Sequence, residues 1–329
     1  MSGLENSDRE DIGLEEPEVW DAHHADAGSA GLHLDRRRFI TTLGGAAASV
    51  LLGAPRPGAA ASSPLENRVE RLVKQRRAQG LIRADEQTSW SIYDFTSARK
   101  LVSINEDAPR QAASMIKPFI AQAFFYTMQE QGSKLRYTSA VRETMERMIR
   151  NSSNTATTEM MQLISRYNGN HGPKDVESVL KRHAPGVFQQ TSIVEYIPAN
   201  GRTYRNLASA HDYSRFLWAL WHDRMPDAHE VRRIMGLPNH NRITRGVNNI
   251  PSTVRVYHKS GSTAMLCGEM GIIEGHDHRG RPRPYTFIGI IQKSQRTNYY
   301  TTWITNRSNA LRAVSGLVYD YMRDQHQLA

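Results

Sequence analysis

From residue 64 onward the apolar positions recur at two different periods. Leu65, Val69, Leu72 and Val73 follow helical spacing and predict a helix over 64–82 that Gly80 stops. Residues 88–95 and 99–105 alternate as two strands, with Thr96-Ser97-Ala98 between them as a hairpin. Phe119 to Met128 is apolar without alternation and predicts a buried helix body. One or two helices follow over 138–166, broken near Asn151-Ser152-Ser153-Asn154, and 168–206 reads as loop with helical pieces. Residues 209–222 are an amphipathic helix and 229–235 a shorter one. Strand patterns return at 253–259, 267–274 and 284–293, with a Gly/Pro/Arg-rich turn from Glu274 to Pro284, and 299–324 closes as a long helix. Strands at both ends and helices between them predict an α+β fold, an α/β sandwich. One antiparallel sheet is built from both chain ends, with terminal helices on one face and a central helical region on the other.

The first 61 residues carry no such pattern. Residues 1–35 are polar and acidic and read as a disordered leader. Over 36–61, Arg36-Arg37-Arg38 precedes a short, weakly apolar stretch, then Pro55-Arg56-Pro57-Gly58 and an Ala-rich end at Ala59-Ala60-Ala61. That order resembles a twin-arginine export signal cleaved near Ala61, which implies the twin-arginine machinery as a partner and a periplasmic or secreted product. Its apolar stretch is too short for a stable membrane span. Residues 62–329 are then the folded domain, expected to be monomeric.

Loss of 1–61 would take 5 of the 42 basic and 10 of the 33 acidic residues, leaving about +14. Such a charge suits an anionic setting, a cell-wall polymer or a membrane surface. The charge is scattered and no nucleic-acid motif accompanies it, so nucleic acid is not an expected partner. The single cysteine, Cys267, excludes an intramolecular disulfide and reads as a small apolar strand residue. His276-Asp277-His278 lacks a third ligand, so neither metal nor cofactor is expected.

Three short stretches carry candidate chemistry. Ser114-Met115-Ile116-Lys117 opens the apolar helix, and residues three apart share a helix face. Burial can lower a lysine's pKa until it accepts a serine's proton, and a helix N-terminus favours a developing anion. Pro118 fits a first turn. Taken alone, the stretch is equally an N-cap serine with a surface lysine. Ser152-Ser153-Asn154 lies on the break between two helical patterns, where a hydroxyl and an amide two residues apart can face one cleft; it could also be a helix cap. Lys259-Ser260-Gly261-Ser262 ends the alternating strand containing Val254, Val256 and His258. It offers a fixed cation, and a glycine lets a ligand lie along the strand edge.

In this order the three stretches resemble the Ser-x-x-Lys, Ser-x-Asn and Lys-Ser/Thr-Gly set of the penicillin-recognising serine hydrolases, class A β-lactamases and D-Ala-D-Ala peptidases. The resemblance covers roughly 63–325. It implies Ser114 as the acylated nucleophile, Lys117 as general base and Ser152 as proton relay. It further implies Asn154 on the substrate's amide, and Lys259, Ser260, Gly261 and Ser262 along its carboxylate, with the Ser114 and Ser262 N–H groups as oxyanion hole. The substrate would be a β-lactam or a D-Ala-D-Ala peptide, and the protein a β-lactamase conferring antibiotic resistance, a carboxypeptidase, or a sensor that stays acylated. Class A enzymes activate the deacylating water with a loop glutamate followed four residues later by asparagine. Here Glu195 takes that part, with Asn200 five residues on.

Overall fold

The computed structural model describes residues 62–329; the expected leader, 1–35, and export segment, 36–61, lie outside the described residues. In chain order the elements are α1 (Pro64–Ala78), β1 (Gln87–Asp94), β2 (Arg99–Ile104), β3 (Arg110–Gln111), a 3-10 turn (Ala113–Ile116), α2 (Lys117–Gln131), a short 3-10 turn (Gly132–Lys134), α3 (Ser139–Ile149), α4 (Asn154–Arg166), α5 (Pro173–His183), β4 (Leu207–Ala208), α6 (Ala210–Trp221), α7 (Ala228–Met235), β5 (Arg255–Ser262), β6 (Leu266–His276), β7 (Pro282–Gln292) and α8 (Tyr300–His326). Helix starts follow from local chemistry: Ser63, Ser153 and Ser209 each accept a hydrogen bond from the backbone N–H three residues on, which opens α1, α4 and α6.

Five antiparallel strands form one sheet in the order β2-β1-β7-β6-β5, so the amino-terminal hairpin joins the carboxy-terminal meander through β1 and β7. Alternation along the strands divides the core. Leu266, Met270, Ile272, Ile288 and Ile290 pack with α2–α7, whereas Cys267, Ile273, Phe287 and Ile291 pack with α1 and α8. This is the expected sandwich. Cys267 is a buried strand residue, as its context predicts.

Two local features bear on the site, the first a difference from expectation and the second one of the expected helical pieces. The Ser-x-x-Lys stretch is not the first turn of one α-helix: Ser114 lies in the 3-10 turn, and Lys117 begins α2. The loop-rich 168–206 contains a full helix, α5, begun by Pro173 and closed by Lys181, Arg182 and His183 in its last turn.

Candidate active site

Two contacts fix Ser114. Behind it, α2 is anchored by Phe119, whose ring meets Phe188, Tyr213 and Phe216 at centroid distances of 4.9, 5.1 and 4.8 Å. In front, the end of β5 runs against the 3-10 turn. A Cβ on Gly261 would come within 2.9 Å of Met115 Cγ and 3.2 Å of the Met115 nitrogen, so only glycine lets strand and turn approach this closely. Ala113, just before Ser114, has φ +46°, and Ser152 has φ +59°. Left-handed backbone at non-glycine residues costs roughly 1–3 kcal/mol each and persists where surrounding contacts impose it.

In a 3-10 turn, residues three apart eclipse one another, which places Ser114 and Lys117 on one face. Lys117 is fully buried. Its Nζ donates to the Ser152 carbonyl and, at 2.9 Å, to Asn154 Oδ1, and it lies 3.3 Å from Ser152 Oγ. Burial first, and the neighbouring Lys259 ammonium second, push its pKa well below the ordinary lysine value. A neutral amine needs only two N–H groups for the two carbonyl oxygens, and its lone pair then serves a hydroxyl. Ser114, Lys117, Ser152 and Asn154 therefore form one cluster.

Strand register assigns sides to the third stretch. Lys259 pairs with Met270 and Gly261 with Gly268, on the sheet face turned to the central helices and Lys117. Ser260 and Ser262 lie on the other face. Thr263 N–H donates to Leu266 O, so by alternation the Ser260 and Ser262 N–H groups point off the open edge of β5. Lys259 is buried; burial lowers its pKa, Glu269 works against that and Arg242 adds to it, leaving it at about 8.

Glu195 is placed differently. Its Oε1 accepts from Thr203 Oγ1 at 2.6 Å and from the Tyr204 and Arg205 N–H groups at 2.6 and 2.7 Å, and its Oε2 accepts from Arg205 Nε at 2.8 Å. Partial burial works to raise its pKa, but the hydrogen bonds from Arg205, Thr203 and Tyr204 outweigh it and hold the carboxyl at about 2. Glu195 thus clasps its own loop, and the structure does not bring it to Lys117, Ser152 or Asn154. The part of this loop that meets Asn154 is residues 199–201: Asn154 Nδ2 donates to Ala199 O at 3.3 Å and sits 3.3 Å from a Cβ placed on Gly201. Asn200 uses its side chain on the Arg202 N–H. Glu177, on α5, also ties the loop, accepting from Lys181 Nζ and the Ile193 N–H, both at 2.7 Å.

Several residues at the site had no motif to announce them. Arg242 donates to Ser262 Oγ at 2.6 Å, to Ser308 Oγ at 2.8 Å and to Gly268 O at 3.1 Å, with Glu269 at 3.7 Å. Glu269 also meets His258 Nδ1 at 2.6 Å, which makes His258 a buried partner of that carboxylate. Tyr300 lies beside Ser262; burial raises its pKa while its hydrogen bond to Ser262 opposes this. Glu269 did leave a signal: a carboxylate inside the apolar stretch from Leu266 to Ile273 requires a buried partner. In the His276-Asp277-His278 turn, the Asp277 carboxylate is taken up by Arg281 and Arg283, each at 2.8 Å. Among the described residues no helix is long and apolar enough to cross a membrane.

The profile of the beta-lactamase enzyme family matches residues 127–322, more than half the chain, beginning just after the Ser-x-x-Lys stretch. No curated protein matches the sequence. Among solved structures, a variant of PBP-A in an acyl-enzyme complex with penicillin-G is 16% identical over 79% of this chain and 96% of that one, with a TM-score of 0.60. A class A β-lactamase representative from Bacteroides cellulosilyticus is 14% identical over 79% and 99%, also with a TM-score of 0.60. A β-lactamase from Chitinophaga pinensis is 13% identical over 78% and 98%, again at 0.60. At such identities these likenesses carry the fold alone.

Proposed function

The chain belongs to the beta-lactamase enzyme family, and from that premise we propose that it is a serine hydrolase whose Ser114 is acylated by β-lactams and by peptides ending in D-Ala-D-Ala. The observation that carries this reading is Lys117: a buried lysine of depressed pKa, one 3-10 turn from Ser114 and bonded to Ser152 and Asn154. Lys117 takes the Ser114 proton as Oγ attacks the carbonyl carbon. The Ser114 and Ser262 N–H groups receive the oxyanion, and Ser152 passes a proton to the leaving nitrogen. Asn154 holds the substrate's amide, and Lys259, Ser260 and Ser262 its carboxylate.

A second observation shapes the rate of release. With Glu195 held by four donors from 203–205 and with Ala199 and Gly201 beside Asn154, neither Glu195 nor Glu177 is bonded at Lys117, Ser152 or Asn154, where a deacylating water would be activated. The β-lactam adduct is then long-lived, which favours a D-Ala-D-Ala peptidase, a penicillin-binding enzyme, over a rapidly turning-over β-lactamase and its resistance role. Mass spectrometry after brief and long exposure to penicillin tests this: the Ser114 adduct is expected at both times. An adduct that vanishes within the first minutes while substrate is consumed returns the β-lactamase reading. Glu195→Ala is expected to loosen 203–205, read as faster amide exchange at Tyr204 and Arg205, with the adduct's lifetime unchanged. A lifetime longer by ~10²-fold, the size of a general-base contribution, would restore Glu195 to the mechanism.

Lys259 gives a pH signature. Its protonated form binds a carboxylate, so the second-order acylation constant for benzylpenicillin falls as pH rises through about 8. Lys259→Ala is expected to be slower and to lack that alkaline limb; an unaltered profile would remove Lys259 from the carboxylate site.

We also propose export through the twin-arginine route, supported by Arg36-Arg37-Arg38 and the Ala-rich end at Ala61. Replacing Arg36 and Arg37 with lysine is expected to leave the precursor in the cytoplasm. Its normal accumulation outside, read by cell fractionation, would refute the route.

A further inference from the structure

Behind the sheet lies a cavity that acyl transfer does not use. There α1 and α8 pack side by side, and with residues 246–249 they line an open groove of about 700 Å³. Helical spacing builds its walls. Arg68 and Arg76 lie two turns apart on one stripe of α1, and Asn309, Arg312 and Asp320 share a stripe of α8. Asn249 fixes the loop by donating to Gly316 O at 2.9 Å.

Three guanidinium groups converge on this groove, and among the described residues none of them has a carboxylate partner. Arg68 stacks over Tyr321 at 5.7 Å. Arg312 donates to the Arg245 carbonyl at 2.7 Å and to Asn309 Oδ1 at 3.0 Å. Arg76 donates to Gln79 Oε1 at 3.1 Å, while its buried Nε has no hydrogen-bond partner. The one acid on the wall, Asp320, pairs with Arg323 at 2.9 Å. Unneutralised positive charge in a concave site, with a buried N–H donor unmet, is a demand for an anion. Guanidinium forks match the oxygens of phosphate, and Arg68 and Arg76 stand about 12 Å apart along the helix, beyond the span of a single phosphate.

We propose that the groove between α1 and α8 binds a linear oligophosphate chain through Arg68, Arg76 and Arg312. The central sheet lies between this groove and Ser114, so occupancy anchors the protein on an anionic polymer and leaves the acylation site open.

Calorimetric titration of the full chain with inorganic tripolyphosphate, at fixed ionic strength, tests the assignment. One saturable site is expected. Arg76→Gln with Arg312→Gln weakens it by about tenfold or more, as does removal of charge-assisted contacts elsewhere. Arg68→Gln on the exposed rim gives a smaller loss and guards against misfolding of the double variant. Arg136→Gln, an exposed arginine of α2–α3 connecting chain, leaves affinity unchanged and controls for net charge. Orthophosphate binds about tenfold more weakly than tripolyphosphate. Absence of a saturable site, equal affinity in the double and Arg68 variants and the unmutated protein, or equal binding of the two phosphates would overturn the proposal.

Discussion

Ser114→Ala is expected to abolish covalent labelling by benzylpenicillin while leaving the fold in place. In the proposed mechanism the acyl bond forms at Oγ, and no water-borne route replaces a covalent intermediate in a labelling experiment. The substitution removes one oxygen from a partly exposed residue of a turn whose neighbours Ala113, Met115 and Ile116 are buried, so stability should change by about 0.5 kcal/mol or less. Incubation with excess benzylpenicillin followed by intact-mass measurement and peptide mapping reads the result directly. Labelling of the Ala variant at any other residue would refute the assignment, because among the described residues Ser114 is the serine that combines the strained turn, the Lys117 amine and the open edge of β5.

Lys117→Ala is expected to slow acylation by ~10²–10⁴-fold, the range for loss of a positioned general base. Removal of the chain also leaves the Ser152 carbonyl and Asn154 Oδ1 without their donor, so part of any loss could arise from structure. Lys117→Met separates the two effects, because it keeps the buried aliphatic volume and lacks the amine. The pH profile adds a second signature. If acylation in the unmutated protein depends on the neutral amine, as proposed, its rate is expected to fall as acid protonates Lys117, and in both variants that acid limb should disappear. Stopped-flow acylation with a chromogenic β-lactam measures it. Retention of the unmutated rate by Lys117→Met would take the lysine out of the chemistry.

The two lysines illustrate how one buried environment yields two roles. Both are desolvated, but Lys259 has the Glu269 carboxylate as counter-charge and stays at about 8, whereas Lys117 has only neutral oxygens around its Nζ, and burial together with the neighbouring Lys259 cation pushes it well below the ordinary lysine value. In the proposed mechanism the counter-charge suits Lys259 to recognition as a cation, and the lowered pKa suits Lys117 to accepting a proton.

Most of the architecture was written in local patterns. Strand patterns at 253–259, 267–274 and 284–293 located β5, β6 and β7 to within a few residues: β5 alternates at Val254, Val256 and His258, and β6 and β7, buried on both faces, are rich in apolar residues over most of their length. The capping serines Ser63, Ser153 and Ser209 marked helix starts through contacts three residues long. The same locality made Ser114 with Lys117, and Ser152 with Asn154, legible as pairs. The chain by itself thus determined the elements, the sandwich and the three chemical stretches.

Tertiary structure decided what those stretches meet. Lys117 reaches Ser152 across 35 residues, and Arg242 reaches Ser262 and Ser308 from a loop without periodicity. Nothing local encodes such distances, since they depend on how packed layers close. Glu195 makes the point most sharply. Its position between two motifs suggested a base, but Thr203, Tyr204 and Arg205 supply four donors that a carboxylate in a polar loop satisfies more readily than a single water. Sequence spacing fixes which residues can share a turn; the hydrogen-bond partners of a loop carboxylate are settled only when the loop has folded against its neighbours.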